Sequence, residues 1–143
     1  MPDIYQDFQI QAPIERVFQA ISSPEEVSAW WSFSTSGKPT PDAVYELDFG
    51  PGYHWKARVT ACSPPESFEW ELTDADSDWV GTRVGFKLEQ SGDKTNVQFH
   101  HTGWPEPNAH YRISCYCWAM YLRILKRFVE HGEFVPYADR LNV

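Results

Sequence analysis

Residues 109–131 read AHYRISCYCWAMYLRILKRFVEH and form the longest periodic pattern in the chain. Apolar side chains recur at helical spacing, and charged side chains recur on the opposite side, as in an amphipathic helix. Asn108 is a typical N-cap residue, and Gly132 is a typical residue just past a helix end. We therefore predict one long helix over Ala109–His131. Its inward face carries Ile113, Cys117, Trp118, Met120, Tyr121, Ile124, Leu125 and Phe128.

The residues before this helix predict strands and two short helices. Ile4 to Ala12 alternates between apolar and polar residues, which is typical of a half-buried strand. Helical spacing follows in Pro13–Ile21, and Ser23-Pro24-Glu25-Glu26 resembles a capping box that starts a second helix toward Trp30-Trp31. Ser32 to Asp42 is rich in Ser, Thr, Gly and Pro and predicts a loop. Five strand-like runs then follow: 44–49, 53–61, 68–72, 81–90 and 93–104.

Two predicted hairpins set the register of the sheet. A four-residue turn at residues 63–66 and a two-residue turn at Ser91-Gly92 each place apolar residues on one face. The first hairpin is predicted to pair Ala57 with Leu72, Arg58 with Glu71, Val59 with Trp70 and Ala61 with Phe68. The second is predicted to pair Thr82 with His101, Val84 with Phe99, Phe86 with Val97 and Glu89 with Lys94.

These elements predict a single α+β domain over residues 1–143. An antiparallel sheet with one wet face must cover its other face, and the long C-terminal helix is large enough to do so. We expect a curved antiparallel six-stranded sheet wrapped around that helix, with two short helices after the first strand. The tail, residues 133–143, is predicted to be extended and packed through Phe134 and Tyr137.

Charge and composition exclude several classes of function. The net charge of -8 and the pI of about 5.0 oppose attraction to nucleic acid and to anionic membranes. No stretch approaches the ~20 apolar residues that span a bilayer, and the opening Met1-Pro2-Asp3 does not resemble a signal sequence. We therefore expect a cytoplasmic protein without membrane insertion. Its three cysteines are expected to be free thiols.

The order of elements resembles the helix-grip fold of the Bet v 1/START-like (SRPBCC) superfamily. The motifs resemble its branch named for the activator of Hsp90 ATPase homologue 1. The matching stretches are APIERVFQAI at 12–21, Ser23-Pro24-Glu25, Trp30-Trp31, His101-Thr102-Gly103-Trp104 and the helix from Trp118 to Gly132.

This resemblance implies a cavity between the sheet and the long helix that binds lipids, polyketides, hormones or other apolar molecules. Some relatives are cyclases, aromatases or hydrolases. The eukaryotic co-chaperone that gives the branch its name carries an additional Hsp90-binding domain, which these 143 residues are too few to include. Hsp90 is therefore not expected as a partner, and we expect a monomer or a weak homodimer.

Ten residues are the candidate lining of such a cavity. Aromatic side chains at strand and helix spacing also suit an ordinary core, so both interpretations stay open here. In the superfamily, the region of the paired tryptophans borders the cavity mouth; the alternative is that one of them docks on the sheet. The candidates are Trp30, Trp31, Trp55, Trp70, Phe86, Phe99, His101, Cys117, Trp118 and Tyr121.

Metal and nucleophile chemistry receive little support from the sequence. His100 and His101 are adjacent on a strand and point to opposite faces, and Cys115 and Cys117 point apart on a helix. Cys117 has no predicted catalytic partner, and an inert thiol is the commoner case. We expect no metal, no cofactor and no catalytic residue.

The leading hypothesis is the binding of a small apolar or aromatic ligand. One alternative is a cyclase or hydrolase that uses a pocket tyrosine or His101 as acid or base. Another is a protein-interaction module resembling a co-chaperone.

Overall fold

The fold is described from a computed structural model that covers residues 2–143, so Met1 of the opening considered above lies outside the described residues. The order is strand, two helices, six strands and a long helix, and a 3-10 helix follows in the tail. The strands are β1 (Ile4–Ile10), β2 (Ser34–Ser36), β3 (Val44–Asp48), β4 (His54–Ser63), β5 (Ser67–Asp74), β6 (Arg83–Ser91) and β7 (Lys94–Thr102). The helices are α1 (Ile14–Ser22), α2 (Pro24–Trp30), α3 (Ala109–His131) and the 3-10 helix Tyr137–Asn142.

The strands form one antiparallel sheet in the order β1-β7-β6-β5-β4-β3-β2. The described residues therefore contain seven strands rather than the six predicted. The additional strand, β2, lies within the predicted loop and pairs with Glu46–Asp48 of β3. Three residues of Ser and Thr are too few to show a period of two, so this edge strand has no recognisable sequence pattern.

The register of the first hairpin is confirmed near its open end and wrong near its turn. Val59 pairs with Trp70 as predicted, but a bulge at Thr60 shifts the next pairs, so that Phe68 faces Cys62 rather than Ala61. Pairing continues to Ser63 and Ser67, which leaves a shorter turn than predicted. A bulge adds one residue to one strand, and turn arithmetic alone cannot detect it.

The register of the second hairpin is displaced by two residues. Ser91 pairs with Lys94, so the turn is Gly92-Asp93, with Gly92 at a φ of 63°. Phe86 consequently pairs with Phe99 and not with Val97, and the predicted pairs of Val84, Thr82 and Glu89 are wrong in the same way. A displacement of two residues preserves the inward and outward faces, because side chains alternate with a period of two.

The ends of α3 are as predicted, whereas the start of α2 is not. The Asn108 side chain accepts a hydrogen bond from the Tyr111 amide at 2.8 Å, and Gly132 closes the helix in the left-handed region. The Ser23 side chain makes no capping bond at α2. Glu26, the other half of the predicted capping box, instead pairs with Arg16 of α1 at 2.6 Å.

The helix α3 packs on the inner face of the sheet, where Trp118 meets Phe99 of β7 with ring centroids 4.6 Å apart. Ile113, predicted on its inward face, is 59% exposed. Within residues 2–143, no helix combines the length and the apolar character that a membrane crossing needs.

The C-terminal tail is a short helix rather than an extended segment. Arg140 is only 1% exposed and fastens this helix to the end of α2. Its guanidinium donates to the backbone oxygens of Ser28, Trp31 and Ser32, and also to that of Val135, at 2.9–3.1 Å. Phe134 is exposed, whereas the Tyr137 hydroxyl donates to the Phe49 carbonyl at 3.1 Å.

Candidate functional site: an aromatic cavity

A cavity of about 430 Å³ lies where α3, the end of α2, the strands β3 and β4, and the tail helix meet. We call it the aromatic cavity. Its lining consists of Trp31, Phe49, Tyr53, Trp55, Asp76, Trp79, His110, Ile113, Ser114, Cys117, Trp118, Tyr121, Tyr137 and Leu141. Its volume falls within the range of about 300–1,000 Å³ that is typical of small-molecule sites.

The wall of the aromatic cavity is a connected layer of rings. Trp31 lies 5.0 Å from Trp118 and 5.3 Å from Phe49, measured between ring centroids. Trp55 continues the layer, with centroids 5.1 Å from Phe49 and 5.0 Å from Trp79. These edge-to-face and tilted contacts are the geometries that aromatic rings prefer, so the wall is held in place by its own packing.

The lining is nearly free of charge. It contains one carboxylate, that of Asp76, and neither lysine nor arginine among the residues that the structure describes there. Burial raises the pKa of the Tyr121 hydroxyl to about 12, so this group stays protonated at neutral pH. The cavity thus offers a mainly apolar surface with a few neutral polar groups and one carboxylate, that of Asp76.

The mouth of the aromatic cavity is mainly apolar, with the exposed carboxylate of Asp76 as its charged group. Tyr53, Ile113 and Leu141 all belong to the lining and are 53%, 59% and 70% exposed. These side chains come from the turn before β4, from the first turns of α3 and from the tail helix. The exposure of Ile113, which is unexpected for a core position, is therefore consistent with a place at this entrance.

His101 lies behind this wall in the core and is fully buried. The Trp118 indole N–H donates to its Nδ1 at 3.0 Å, so the ring proton sits on Nε2, which donates to the Thr82 hydroxyl at 2.8 Å. The Thr82 hydroxyl donates in turn to the Trp79 carbonyl at 2.6 Å.

Burial lowers the pKa of His101 to about 3, with smaller contributions from His100 and His110. Because both ring nitrogens are occupied and the side chain does not line the aromatic cavity, we drop the acid–base role considered for His101.

A different histidine, His110, does line the aromatic cavity. Its Nδ1 lies 3.0 and 2.9 Å from the two carboxylate oxygens of Asp78. Asn108, the N-cap of α3, also donates to Asp78, at 3.3 Å. The turn Asp76–Gly81 holds Asp78 in place through the Trp79 amide, which donates to the Asp76 carbonyl at 2.8 Å.

His110, Asp76 and Asp78 form the one group of three potential metal-binding side chains within residues 2–143. Their ligand atoms lie within 4.8 Å of one another. The carboxylate of Asp78 already accepts hydrogen bonds from His110 and Asn108, which accounts for the position of Asp78 beside His110.

The structure divides the ten sequence candidates into two groups. Trp31, Trp55, Cys117, Trp118 and Tyr121 line the aromatic cavity. The remaining five are outside the lining and lie in the packed core: Trp30, Trp70, Phe86, Phe99 and His101. Of the paired tryptophans, Trp30 docks through its N–H on the Ala20 carbonyl at 2.9 Å, and Trp31 faces the cavity.

Sequence reasoning missed the contribution of the turn between β5 and β6. Asp76 and Trp79 lie in this turn, and Asp78 between them binds His110. The turn has no periodic pattern, so only its composition could have drawn attention to it: two aspartates and a tryptophan within four residues, DSDW. Their contact with the start of α3 spans 32 positions of the chain and arises only from the fold.

Comparisons with known proteins agree with this architecture. The family model described as activator of Hsp90 ATPase homolog 1-like protein matches residues 11–130. The solution structure of an Aha1 dimer from Colwellia psychrerythraea is 26% identical, with a TM-score of 0.84, and the match covers 93% of this chain and 99% of that one.

Two more distant structures share the fold. A structural-genomics protein from Mesorhizobium loti is 18% identical, with a TM-score of 0.81 over 93% of this chain and 100% of that one. CalU16 from Micromonospora echinospora is 19% identical, with a TM-score of 0.74 over 96% and 82% of the two chains. Among curated proteins, none matches the chain significantly in sequence.

Proposed function

The chain belongs to the family of activator of Hsp90 ATPase homolog 1-like proteins, and on that premise we propose that it binds a small apolar or aromatic molecule in the aromatic cavity. The observation that carries the proposal is the cavity itself. It has a volume of about 430 Å³, a wall of aromatic rings and a mainly apolar mouth.

The size of the cavity supports a ligand rather than a packing defect. Protein interiors are close-packed, and an engineered apolar cavity of about 150 Å³ already binds benzene. The aromatic cavity has about three times that volume and is open to solvent. An apolar ligand would remove aromatic surface from water, which contributes about 25 cal/mol for each Å² buried.

The arrangement of the wall supports a preformed site. Trp31 and Trp118 are 2% exposed, and each packs against a ring outside the lining: Trp70 for Trp31 and Phe99 for Trp118. A ligand would therefore meet rings that are already ordered. Such preorganisation limits the conformational entropy that is lost on binding.

A binding assay with a neutral aromatic probe tests the proposal. Titration with 2-methoxynaphthalene should change the tryptophan fluorescence and saturate. The Cys117→Phe variant places a ring in the cavity and should abolish saturation, since Cys117 is part of the lining. Cys115→Phe is the matched control, because Cys115 lies on the same helix outside the lining, and it should bind as wild type does.

Native mass spectrometry of freshly purified protein provides an independent test. A reproducible small-molecule adduct that is lost on denaturation supports the proposal. Ligand-free protein, together with an absence of saturable binding of the probe, would overturn it.

We propose further that the protein is a monomer or a weak homodimer and that Hsp90 is not its partner. The solved Aha1 relative is a dimer, which makes self-association worth measuring. Light scattering across a concentration series tests the first part. For the second, an ATPase assay with purified Hsp90 should show no stimulation, and stimulation would refute it.

A further inference from the structure

We propose that the ligand of the aromatic cavity carries a hydroxyl group and that Nε2 of His110 accepts its hydrogen bond. This inference rests on the proposed ligand-binding function and adds the polar group by which the site selects among aromatic molecules. It assigns a specificity role to His110 and a positioning role to Asp78.

The first step of the argument is the position of the imidazole proton. A carboxylate can only accept, so the short contacts of Asp78 with Nδ1 of His110 place the proton on Nδ1. In the neutral ring, Nε2 is then an acceptor, and no group within residues 2–143 donates to it. His110 lies in the lining of the cavity, with its side chain about one third exposed.

The second step is the rigidity of the ring. His110 stacks on Trp79 at 5.8 Å between centroids with an interplanar angle of 26°, and it meets Trp104 edge-on at 5.8 Å. Together with the bond to Asp78, these contacts fix the ring from two sides. An acceptor held in this way loses little freedom when a ligand binds.

The third step is the charge around the acceptor. Asp76 lines the cavity, Asp78 binds the histidine, and the lining contains neither lysine nor arginine among its described residues. An anionic ligand would meet this negative charge, and the nearby guanidinium of Arg140, which lies over the Tyr137 ring, already donates to backbone oxygens. A neutral hydroxyl group is the donor that fits, and the aromatic wall favours a hydroxyl carried on a ring.

Three probes with one ring system test the inference: 2-naphthol, 2-methoxynaphthalene and 2-naphthoate, each titrated against the protein under the same buffer conditions. Wild-type protein should bind 2-naphthol about three- to tenfold more tightly than the methyl ether, as expected for one hydrogen bond. The 2-naphthoate anion should bind more weakly than both.

Two variants assign the preference to His110. His110→Phe keeps a ring against Trp79 but removes the acceptor, so the two neutral probes should bind with equal affinity. His131→Ala is the matched control: His131 is exposed at the far end of α3 and lies outside the lining, and the preference should remain.

A spectroscopic measurement tests the positioning role of Asp78. Long-range ¹H–¹⁵N spectra of wild-type protein should show His110 in the Nδ1–H tautomer. Asp78→Asn, whose amide can also donate to the ring, should give a mixture of tautomers and a smaller preference for 2-naphthol. A variant that merely lost stability would leave the tautomer of the folded protein unchanged.

The outcomes separate this inference from the proposed function. Saturable binding of both neutral probes with equal affinity, or a preference that survives in His110→Phe, would overturn the role of His110 and leave the cavity as an apolar site. Failure of both neutral probes to bind would overturn the proposed function itself, and this inference with it.

Discussion

The indole N–H of Trp118 donates to Nδ1 of His101 across 3.0 Å, and this bond joins α3 to β7 of the sheet. It also fixes the protonation of the histidine. With Nδ1 accepting from the indole and Nε2 donating to Thr82, a second ring proton would have to displace the Trp118 bond. The site therefore stabilises the neutral ring, in agreement with the lowered pKa of His101.

The neutral state of His101 predicts a pH dependence of stability. The native ring stays uncharged down to a pKa of about 3, whereas in the unfolded chain it takes up a proton below its ordinary pKa of 6.5. The contribution of His101 to the free energy of unfolding is therefore complete above pH 6.5, and it should decrease as the pH falls from there toward 3. The slope from this one group is about 1.4 kcal/mol per pH unit.

Urea unfolding at about pH 6 and pH 5 in wild type and His101→Gln measures this contribution, because glutamine cannot take up the proton. The free energy of unfolding should fall less steeply in the variant. Equal slopes would contradict the prediction. Nitrogen NMR of wild-type protein at the same pH values is an independent check, in which the His101 ring should remain neutral.

Two tryptophans should respond differently to truncation, because one lies in the core and one in the cavity wall. Trp70 is fully buried against Tyr45 and Phe68, and Trp70→Ala should lower the free energy of unfolding by about 3–5 kcal/mol. Trp55 is half-buried and lines the cavity, so Trp55→Ala should reduce stability less and should change the affinity for 2-methoxynaphthalene.

Thermal or urea unfolding of the two variants, together with the probe titration, measures both effects. The prediction does not hold if Trp55→Ala destabilises as strongly as Trp70→Ala and leaves the affinity unchanged. In that case, the rings of the wall would act only as core.

Arg140 should control the closure of the tail over the aromatic cavity. Its guanidinium donates in several directions at once to backbone oxygens at the end of α2, which a lysine ammonium on a flexible stem does not reproduce. Arg140→Lys should therefore release the 3-10 helix that carries Tyr137 and Leu141. Backbone carbonyls that stay buried without a donor in Arg140→Lys should lower its free energy of unfolding by about 1–3 kcal/mol.

Hydrogen exchange of residues 137–142 detects this release. Amides of the tail helix should exchange faster in Arg140→Lys than in wild type, while those of β6 and β7 keep their protection. The exposed residue Arg123 provides the control as Arg123→Lys. Unchanged exchange in the tail of Arg140→Lys would show that other contacts hold it.

Periodic elements of this chain were predictable from sequence, and the contacts between non-periodic segments were not. The extent of α3 follows from spacing and from two end residues, Asn108 and Gly132. The inward-facing residues of the second hairpin were predicted correctly although its register was wrong by two residues. A displacement of two residues leaves each side chain on the same face of the sheet.

The cavity depends on information of a different kind. The sequence pattern predicts that both Trp70 and Trp55 lie on strands. Which of them lines the cavity depends on the packing of α2, α3 and the tail, which the pattern does not contain. Likewise, the sequence drew attention to His101, whereas the histidine at the cavity is His110. Its partner, Asp78, comes from a turn without any pattern.

The most direct test of the central claim is the set of indole N–H signals in a ¹H–¹⁵N spectrum titrated with 2-methoxynaphthalene. Of the seven tryptophans, Trp31, Trp55, Trp79 and Trp118 line the aromatic cavity, whereas Trp30, Trp70 and Trp104 do not. We predict that the four cavity signals shift progressively and saturate together, with the Trp30 signal, whose N–H is bonded to Ala20, changing least. Two results would contradict the claim that this chain holds its ligand inside the aromatic cavity. One is that the four indole signals stay fixed. The other is that the only shifts are those of backbone amides at exposed surface residues such as Tyr5 and Tyr116.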